Sequence, residues 1–436
     1  MKQHPMTRRL AGYFRKRLDE ARLDLIEAPR DPRGQRWQLE PLLRTVLVGL
    51  AAGCHGLAEV EDLTTRMGSG FRQLLGISRR VPDTTLRDLL TQFEPVSLNP
   101  LLHRVTRAAH RRRALLPEGL PFGVLTLDGK YFTLPSVDDG YCQQHGDAAT
   151  GNVQGQLRST TAVLTSTRAR PCIDVTPVLA STNEMGTFER ALQSACDTYG
   201  SLDLFRLVTY DAGACSLQNA SFVREQRLHY LFGLKSSQPT LYEEAQQWLG
   251  ERPTTDCDAS SVDIDGTTRV VRRLYLGSAV SAPEGWEAHL RSVLRVQTLC
   301  YDRESGEAIG KEESRYFISS LACDRLTPEQ WLLVIRRHWG VETCHQILDT
   351  ALAEDSRPWI THNPRASLVV AILRRVVYTL LSLFRSVTQR SETQRQMPWK
   401  RLLAEVLYAC HTLASDTLRS LRPHRLPPDS AKGVTN

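Results

Sequence analysis

Lysine is nearly missing from this 436-residue chain. Only Lys2, Lys16, Lys130, Lys235, Lys311, Lys400 and Lys432 carry it, so 7 of the 55 basic residues are lysine and 48 are arginine. A surplus of planar, bidentate cations suits phosphates and base edges, although arginine-rich codon usage would leave the same mark. The net charge of +7 is moderate and alone says little about partners. No Cys-x-x-Cys pair occurs among the ten cysteines, which are scattered singly from Cys54 to Cys410. That excludes the common zinc-finger and thioredoxin-like spacings and fits reduced thiols in a cytosolic protein. Long apolar runs are missing too. The two longest stretches, Leu42 to Cys54 and Leu368 to Phe384, are too short or interrupted by arginine, and they read as buried helices. Met1 to Leu18 is basic and amphipathic without an apolar signal core, and no internal repeat is visible. What remains is an ordinary globular composition, 41% hydrophobic and 24% charged, long enough for two or three domains.

Residues 1–116 read as an all-helical region, with helices over 39–52, 58–66 and 71–75. In Val81-Pro82-Asp83-Thr84-Thr85-Leu86-Arg87-Asp88 an Asp or Thr cap precedes a leucine-periodic run to Phe93. A short helix, a turn at Gly76 and a capped helix are compatible with a helix-turn-helix, and equally with a plain helical core. A further helix over 98–115 ends in the basic run Arg107 to Arg113, and Pro117-Glu118-Gly119 marks a boundary. Residues 117–253 change to strands over 122–128, 157–166 and 172–180. A helix at 188–199, a strand ending at Asp211, a helix at 217–227, a strand at 230–234 and a helix at 241–249 follow. That alternation predicts a mixed α/β sheet. Residues 254–326 revert to β alternation, residues 327–420 are helical, and the Pro-rich tail 421–436 is expected to be disordered.

Two aspartates end apolar runs. Asp128 closes 122–127 and precedes Gly129-Lys130; Asp211 closes 204–210 and precedes Ala212-Gly213. An acid at a strand's carboxyl end points into the crevice where open α/β sheets bind ligands. A helix expected from Trp331 to Glu354 aligns Trp331, Ile335, His338, Trp339, Glu342, His345 and Asp349 in one stripe. Tryptophan and isoleucine mixed with histidine and acids is unusual for a core face. An amphipathic helix with ordinary salt bridges gives the same stripe, and strand-end aspartates are often turn or cap residues. Three acids in one crevice would hold hard divalent cations through oxygen, which makes a metal-dependent nucleic-acid enzyme the leading idea.

The motif order sharpens this. Asp128-Gly129-Lys130, Asn183-Glu184, Asp211-Ala212, Gly233-Leu234-Lys235 with Gln238, Arg336-Arg337-His338-Trp339-Gly340-Val341-Glu342 and Glu354-Asp355 follow one another. From about Pro32 to Arg385 the chain resembles the DDE transposases of bacterial insertion sequences, in the H-repeat-associated branch. The resemblance implies an RNase H-like mixed sheet with helices, and a β-rich insertion between the second and third acids, where 254–326 lies. It implies Asp128, Asp211 and Glu342 as catalytic, metal-binding acids holding two Mg²⁺ ions, with Mn²⁺ as substitute. It further implies cleavage and strand transfer at insertion-sequence ends. The partners are then double-stranded DNA, as terminal repeats and target, and a second copy in the DNA complex, in the cytoplasm and without a membrane. Arg87, Arg111, Arg112, Arg113, Lys130, Lys235, Arg336 and His338 are candidate DNA contacts, each open to a plain surface or packing role.

The chain also departs from the family pattern. Tyr131-Phe132-Thr133-Leu134 stands for a basic or hydroxyl-rich run, Ser181-Thr182 where a lysine is common, Ser216 for a glutamine and Thr343 for an asparagine. Leu348-Asp349 arrives one residue early. These differences spare the acids and bear on substrate contacts. Asp349 lies ~10.5 Å beyond Glu342 along a straight helix rising about 1.5 Å per residue, too far to share its metals. Two rivals stay open: a transposase-derived nuclease that cuts without joining, and a non-catalytic DNA-binding protein, against which the acid triad argues.

Overall fold

The computed structural model describes residues 4–29, 36–147, 152–250, 252–279 and 282–421. The tail expected to be disordered thus lies, from 422 on, outside the described residues. Six helices open the chain: α1 (Pro5–Ala21), α2 (Leu39–Ala51), α3 (Leu57–Arg66), α4 (Ser69–Leu75), α5 (Asp83–Leu90) and α6 (Asn99–Arg111). α2 is buried because it is apolar nearly all round: Leu42, Leu43, Val46, Leu47, Val48 and Leu50 are all at most 2% exposed. α4 closes on Gly76, whose φ of 74° is the left-handed conformation that favours glycine at a helix end. The expected Asp or Thr cap of α5 is not there. Pro82 holds the cap position without a side-chain bond. Instead Glu61 of α3 accepts the Asp83 N–H at 2.9 Å, and Thr64 accepts the Val81 N–H at 3.0 Å. A tertiary carboxylate has replaced the local cap.

The sheet comprises β1 (Val124–Pro135), β2 (Cys142–Asp147), β3 (Asn152–Leu164), β4 (Cys172–Val178), β5 (Leu207–Tyr210), β6 (His229–Leu234), β7 (Ala259–Asp265), β8 (Thr268–Ser278), β9 (Ser292–Asp302) and β10 (Ala308–Ser319). Its order is β2-β3-β1-β5-β6-β10-β9-β8-β7, with β4 also on β3. β3 runs antiparallel to β1 and β4, while β1, β5 and β6 are parallel. The crossovers are α7 (Glu184–Tyr199) and α8 (Leu217–Glu225); α9 (Pro239–Leu249) follows β6. An antiparallel ribbon continued by parallel strands is the RNase H-like mixed sheet implied by the resemblance. All four residues of β5 are buried, as a parallel strand covered on both faces requires. The strand-rich block extends this same sheet, because β10 pairs with β6 through Tyr316 opposite Leu234.

The carboxyl-terminal helices are α10 (Pro328–His338), α11 (Gly340–Thr350), α12 (Pro364–Leu383), α13 (Glu392–Arg395), α14 (Trp399–Thr412) and α15 (Ser415–Ser420). The single helix expected over 331–354 is therefore two. It breaks at Trp339, the residue between the two helices, whose ψ of -1° is well off the roughly -42° of a regular α-helix. Gly340 opens α11 so close to β3's end that a Cβ there would lie 3.2 Å from Thr165 Cγ2 and from Arg170 Cδ. Among the described residues one stretch, Pro364–Thr388, is long and apolar enough to cross a membrane, and its apolar window is wholly buried in the protein. α1 packs on α14 and α15, and α2 on α12. Gly68 and Gly70 touch the His411, Leu413 and Ala414 backbone so closely that any side chain would overlap it. The amino-terminal helices thus share one core with the carboxyl-terminal ones.

Candidate active site

Asp128 does not end its strand. β1 pairs with β5 only through Val124, Leu125 and Thr126, then runs on against β3, with Asp128 opposite Thr161. The longer antiparallel partner carries the strand past the point where its parallel neighbour stops, and Asp128 stands at that opening. Its carboxylate accepts the Gly129 N–H at 2.9 Å and lies 3.4 Å from His345 Nδ1. Asp211 directly follows β5, and its Oδ1 accepts the Gly213 N–H at 3.0 Å. Glu342 lies in the first turn of α11, where the helix dipole favours its charge. Its pKa is nevertheless raised, by partial burial first and by the Asp128 carboxylate second. Asp211 and Glu342 line one crevice of about 360 Å³ together with Lys235, Arg315, His338 and Trp339.

Behind His338, which lines the crevice, the packing is polar and bonded. Thr126 Oγ1 lies 2.8 Å from both Thr165 Oγ1 and Thr209 Oγ1. His338 Nδ1 is 3.1 Å from Thr209 Oγ1, and burial holds the imidazole below its ordinary pKa, which favours the neutral ring. The Arg315 guanidinium sits over the Trp339 ring at 5.3 Å.

A fourth acid belongs to this group. Glu184 opens α7 behind the cap residue Asn183, whose Oδ1 accepts the Gly186 N–H at 2.9 Å. Its pKa is raised by burial, then by the Asp128 and Asp211 carboxylates. The Tyr210 hydroxyl is pushed up by burial and by the same acids, Asp211, Glu184 and Asp128. The sequence showed Asn183-Glu184 as a motif without placing it in the site. Its signal was an acid next to a helix cap in the motif series.

The candidate DNA contacts divide. Lys130 is 6% exposed inside β1, with its Nζ 2.6 Å from Asp349 and 3.1 Å from Asp355. Of the two readings open to it, the packing role is the one its position allows. Asp349 turns to that lysine and is absent from the crevice lining. Arg336 is ion-paired with Asp263 of β7, tying α10 to the sheet's edge. Arg112 pairs with Glu20 at 2.6 Å. Arg87, Arg111, Arg113 and Lys235 are exposed, and Lys235 lies in the crevice. Behind β1 and β3, Glu354 and Arg375 form a wholly buried ion pair at 3.0 Å. Arg375 Nε also donates to Thr161 Oγ1 at 3.3 Å, on the residue opposite Asp128.

Among the described residues no three His, Cys, Asp or Glu side chains already stand around one metal position. The donor set itself fits a hard divalent cation: carboxylate oxygens of Asp128, Asp211 and Glu342, the Glu342 pKa being raised first by burial and then by the Asp128 charge. A cation here would draw the acids inward and relieve that repulsion.

No curated protein matches the chain. A family model described as the transposase DDE domain matches residues 124–374, from the first residue of β1 into α12, and takes in Asp128, Asp211 and Glu342. With more than half its length inside that match, the chain belongs to the transposase DDE domain family.

Proposed function

We propose that this protein is a DNA transposase that cleaves DNA at the ends of an insertion sequence and joins those ends to target DNA. Asp128, Asp211 and Glu342 are its metal-holding catalytic acids. One observation supports the reading: Asp211 at the end of β5 and Glu342 of α11, far apart in sequence, line a single crevice, and the Asp128 carboxylate of β1 is near enough to raise the Glu342 pKa after burial does. In-line displacement at phosphorus needs positioning and charge neutralisation more than a protein nucleophile. Two Mg²⁺ ions, or Mn²⁺, would supply Lewis-acid stabilisation of the attacking and leaving oxygens when bound. The protein's own groups do the rest. Backbone N–H groups of Gly129 and Gly213 aim the two aspartates. His338 lines the crevice as a neutral ring, and Lys235 and Arg315 present cations to the phosphates.

The partner is double-stranded DNA, as terminal repeats and target, engaged by two copies of the chain in the cytoplasm. Exposed Arg87 on α5, with Arg111 and Arg113 at the end of α6, contact its backbone. If about five phosphates are neutralised, log K falls against log salt with a slope near −4.5. Replacing Arg87, Arg111 and Arg113 with glutamine is expected to flatten that slope by about 2.7, at roughly 0.9 per phosphate contact. Fluorescence anisotropy of the full chain is the right measurement, since the amino-terminal helices share their core with α12, α14 and α15. An unchanged slope places the DNA interface elsewhere.

A strand-transfer assay with Mg²⁺, labelled terminal-repeat DNA and a target plasmid tests the function. Joined product is expected. Cleavage without joining would mean a nuclease, and binding without cleavage a DNA-binding protein.

A further inference from the structure

Gly129 has an ordinary backbone, outside the left-handed glycines of this chain. What the position uses is the missing side chain. An ideal Cβ on Gly129 would fall inside the Glu184 carboxylate, so the acid occupies space that only glycine leaves. That space adjoins the peptide whose N–H holds Asp128. Glu184 is placed there from the other side by α7, a 16-residue helix whose start is fixed by the Asn183 cap. Among the described residues no Lys, Arg or His forms an ion pair with it; Arg158, the cation acting on it from farther off, donates to the Thr182 carbonyl at 2.7 Å. The fold therefore brings an acid without an ion-pair partner against two other acids, and clears a side chain to do so. A first-turn glutamate that only supported α7 would gain from the helix dipole anywhere in solvent, with no need of this packing.

We infer that Glu184 is a fourth carboxylate of the metal centre, contributing oxygen to a divalent cation held with Asp128 and Asp211. This rests on the metal-dependent reading of the crevice. Hard cations of this class take oxygen ligands from several carboxylates at once. In a loaded site Glu184 would supply its oxygen from the start of α7, and Glu342 from α11.

The test is Mn²⁺ alone, titrated into the full chain and followed by the electron paramagnetic resonance of free Mn²⁺. Wild type is compared with Glu184→Gln, Gly129→Ala and Glu342→Gln, with melting in chelator as the check on folding. Glu184→Gln keeps shape and loses charge; Gly129→Ala keeps the charge and fills its space. Both are expected to weaken Mn²⁺ binding at least tenfold, as is Glu342→Gln, with melting close to wild type. If Glu342→Gln weakens binding and Glu184→Gln does not, Glu184 is a helix-start residue and this inference is overturned. If neither substitution changes Mn²⁺ binding, the metal-dependent reading of the crevice falls with it.

Discussion

Glu342→Gln is expected to lower Mg²⁺-dependent DNA cleavage by about a thousandfold or more, while DNA affinity stays within about twofold. The substitution keeps the side chain's size and removes one ligand charge. Metal-borne charge stabilisation at phosphorus amounts to several kcal/mol, and each ~1.4 kcal/mol is tenfold in rate. DNA affinity rests on phosphate contacts spread over the surface, which one crevice carboxylate does not supply. Asp349→Asn is the contrasting variant. Asp349 sits on the same helix but is spent on Lys130 at 2.6 Å. Its loss leaves Asp355 as the lysine's remaining acid and the crevice acids in place. Cleavage by Asp349→Asn is therefore expected to stay measurable, and an exchange of the two phenotypes would make the acid assignment wrong. Nicking rates at saturating Mg²⁺, paired with anisotropy for binding, give both readouts.

Glu354→Gln is expected to cost about 3–5 kcal/mol of stability, the range for breaking one side of a buried ion pair. Both side chains of the Glu354–Arg375 pair are fully buried. Arg374 is buried beside them, its pKa pushed down to about 10 by burial, with Glu354 as the main opposing influence. Removing the carboxylate charge leaves two buried guanidinium groups without their shared counter-charge. The exposed pair Arg168–Glu392 offers the comparison, with side chains 41% and 57% exposed. Solvent screening makes its loss too small to separate from wild type. Urea midpoints for Glu354→Gln and Glu392→Gln check this, and equal midpoints would contradict it. Because Arg375 reaches Thr161, opposite Asp128, the same variant is expected to loosen the first acid.

The amino-terminal helices were legible because periodicity and burial agree there: the helix expected over 39–52 is α2, Leu39–Ala51. Strands of the 254–326 block were legible as alternation. Their attachment to β6 was not, since register with a distant strand leaves no local mark. Asp128 looked terminal because the apolar run stops there; the strand goes on through an alternation of buried Lys130, Phe132 and Leu134. That buried lysine could not be foreseen, as Asp349 and Asp355 neutralise it from more than two hundred residues away. The break at Trp339 was invisible for a similar reason. Helical spacing continues across His338-Trp339-Gly340, and the interruption comes with Gly340 pressed onto Thr165 and Arg170. Glu184 was in view as half of a motif, but its neighbours are Asp128 and Asp211, which only the fold brings to it.

Diffraction from crystals soaked in Mn²⁺, collected at the manganese absorption edge, tests the claim that the acids form one metal centre. The account predicts an anomalous peak in the crevice, about 2.1 Å from oxygens of Asp128 and of Asp211 or Glu342. Manganese absent from that crevice at concentrations that support DNA cleavage, or bound only at Asp349 and Asp355, would contradict it.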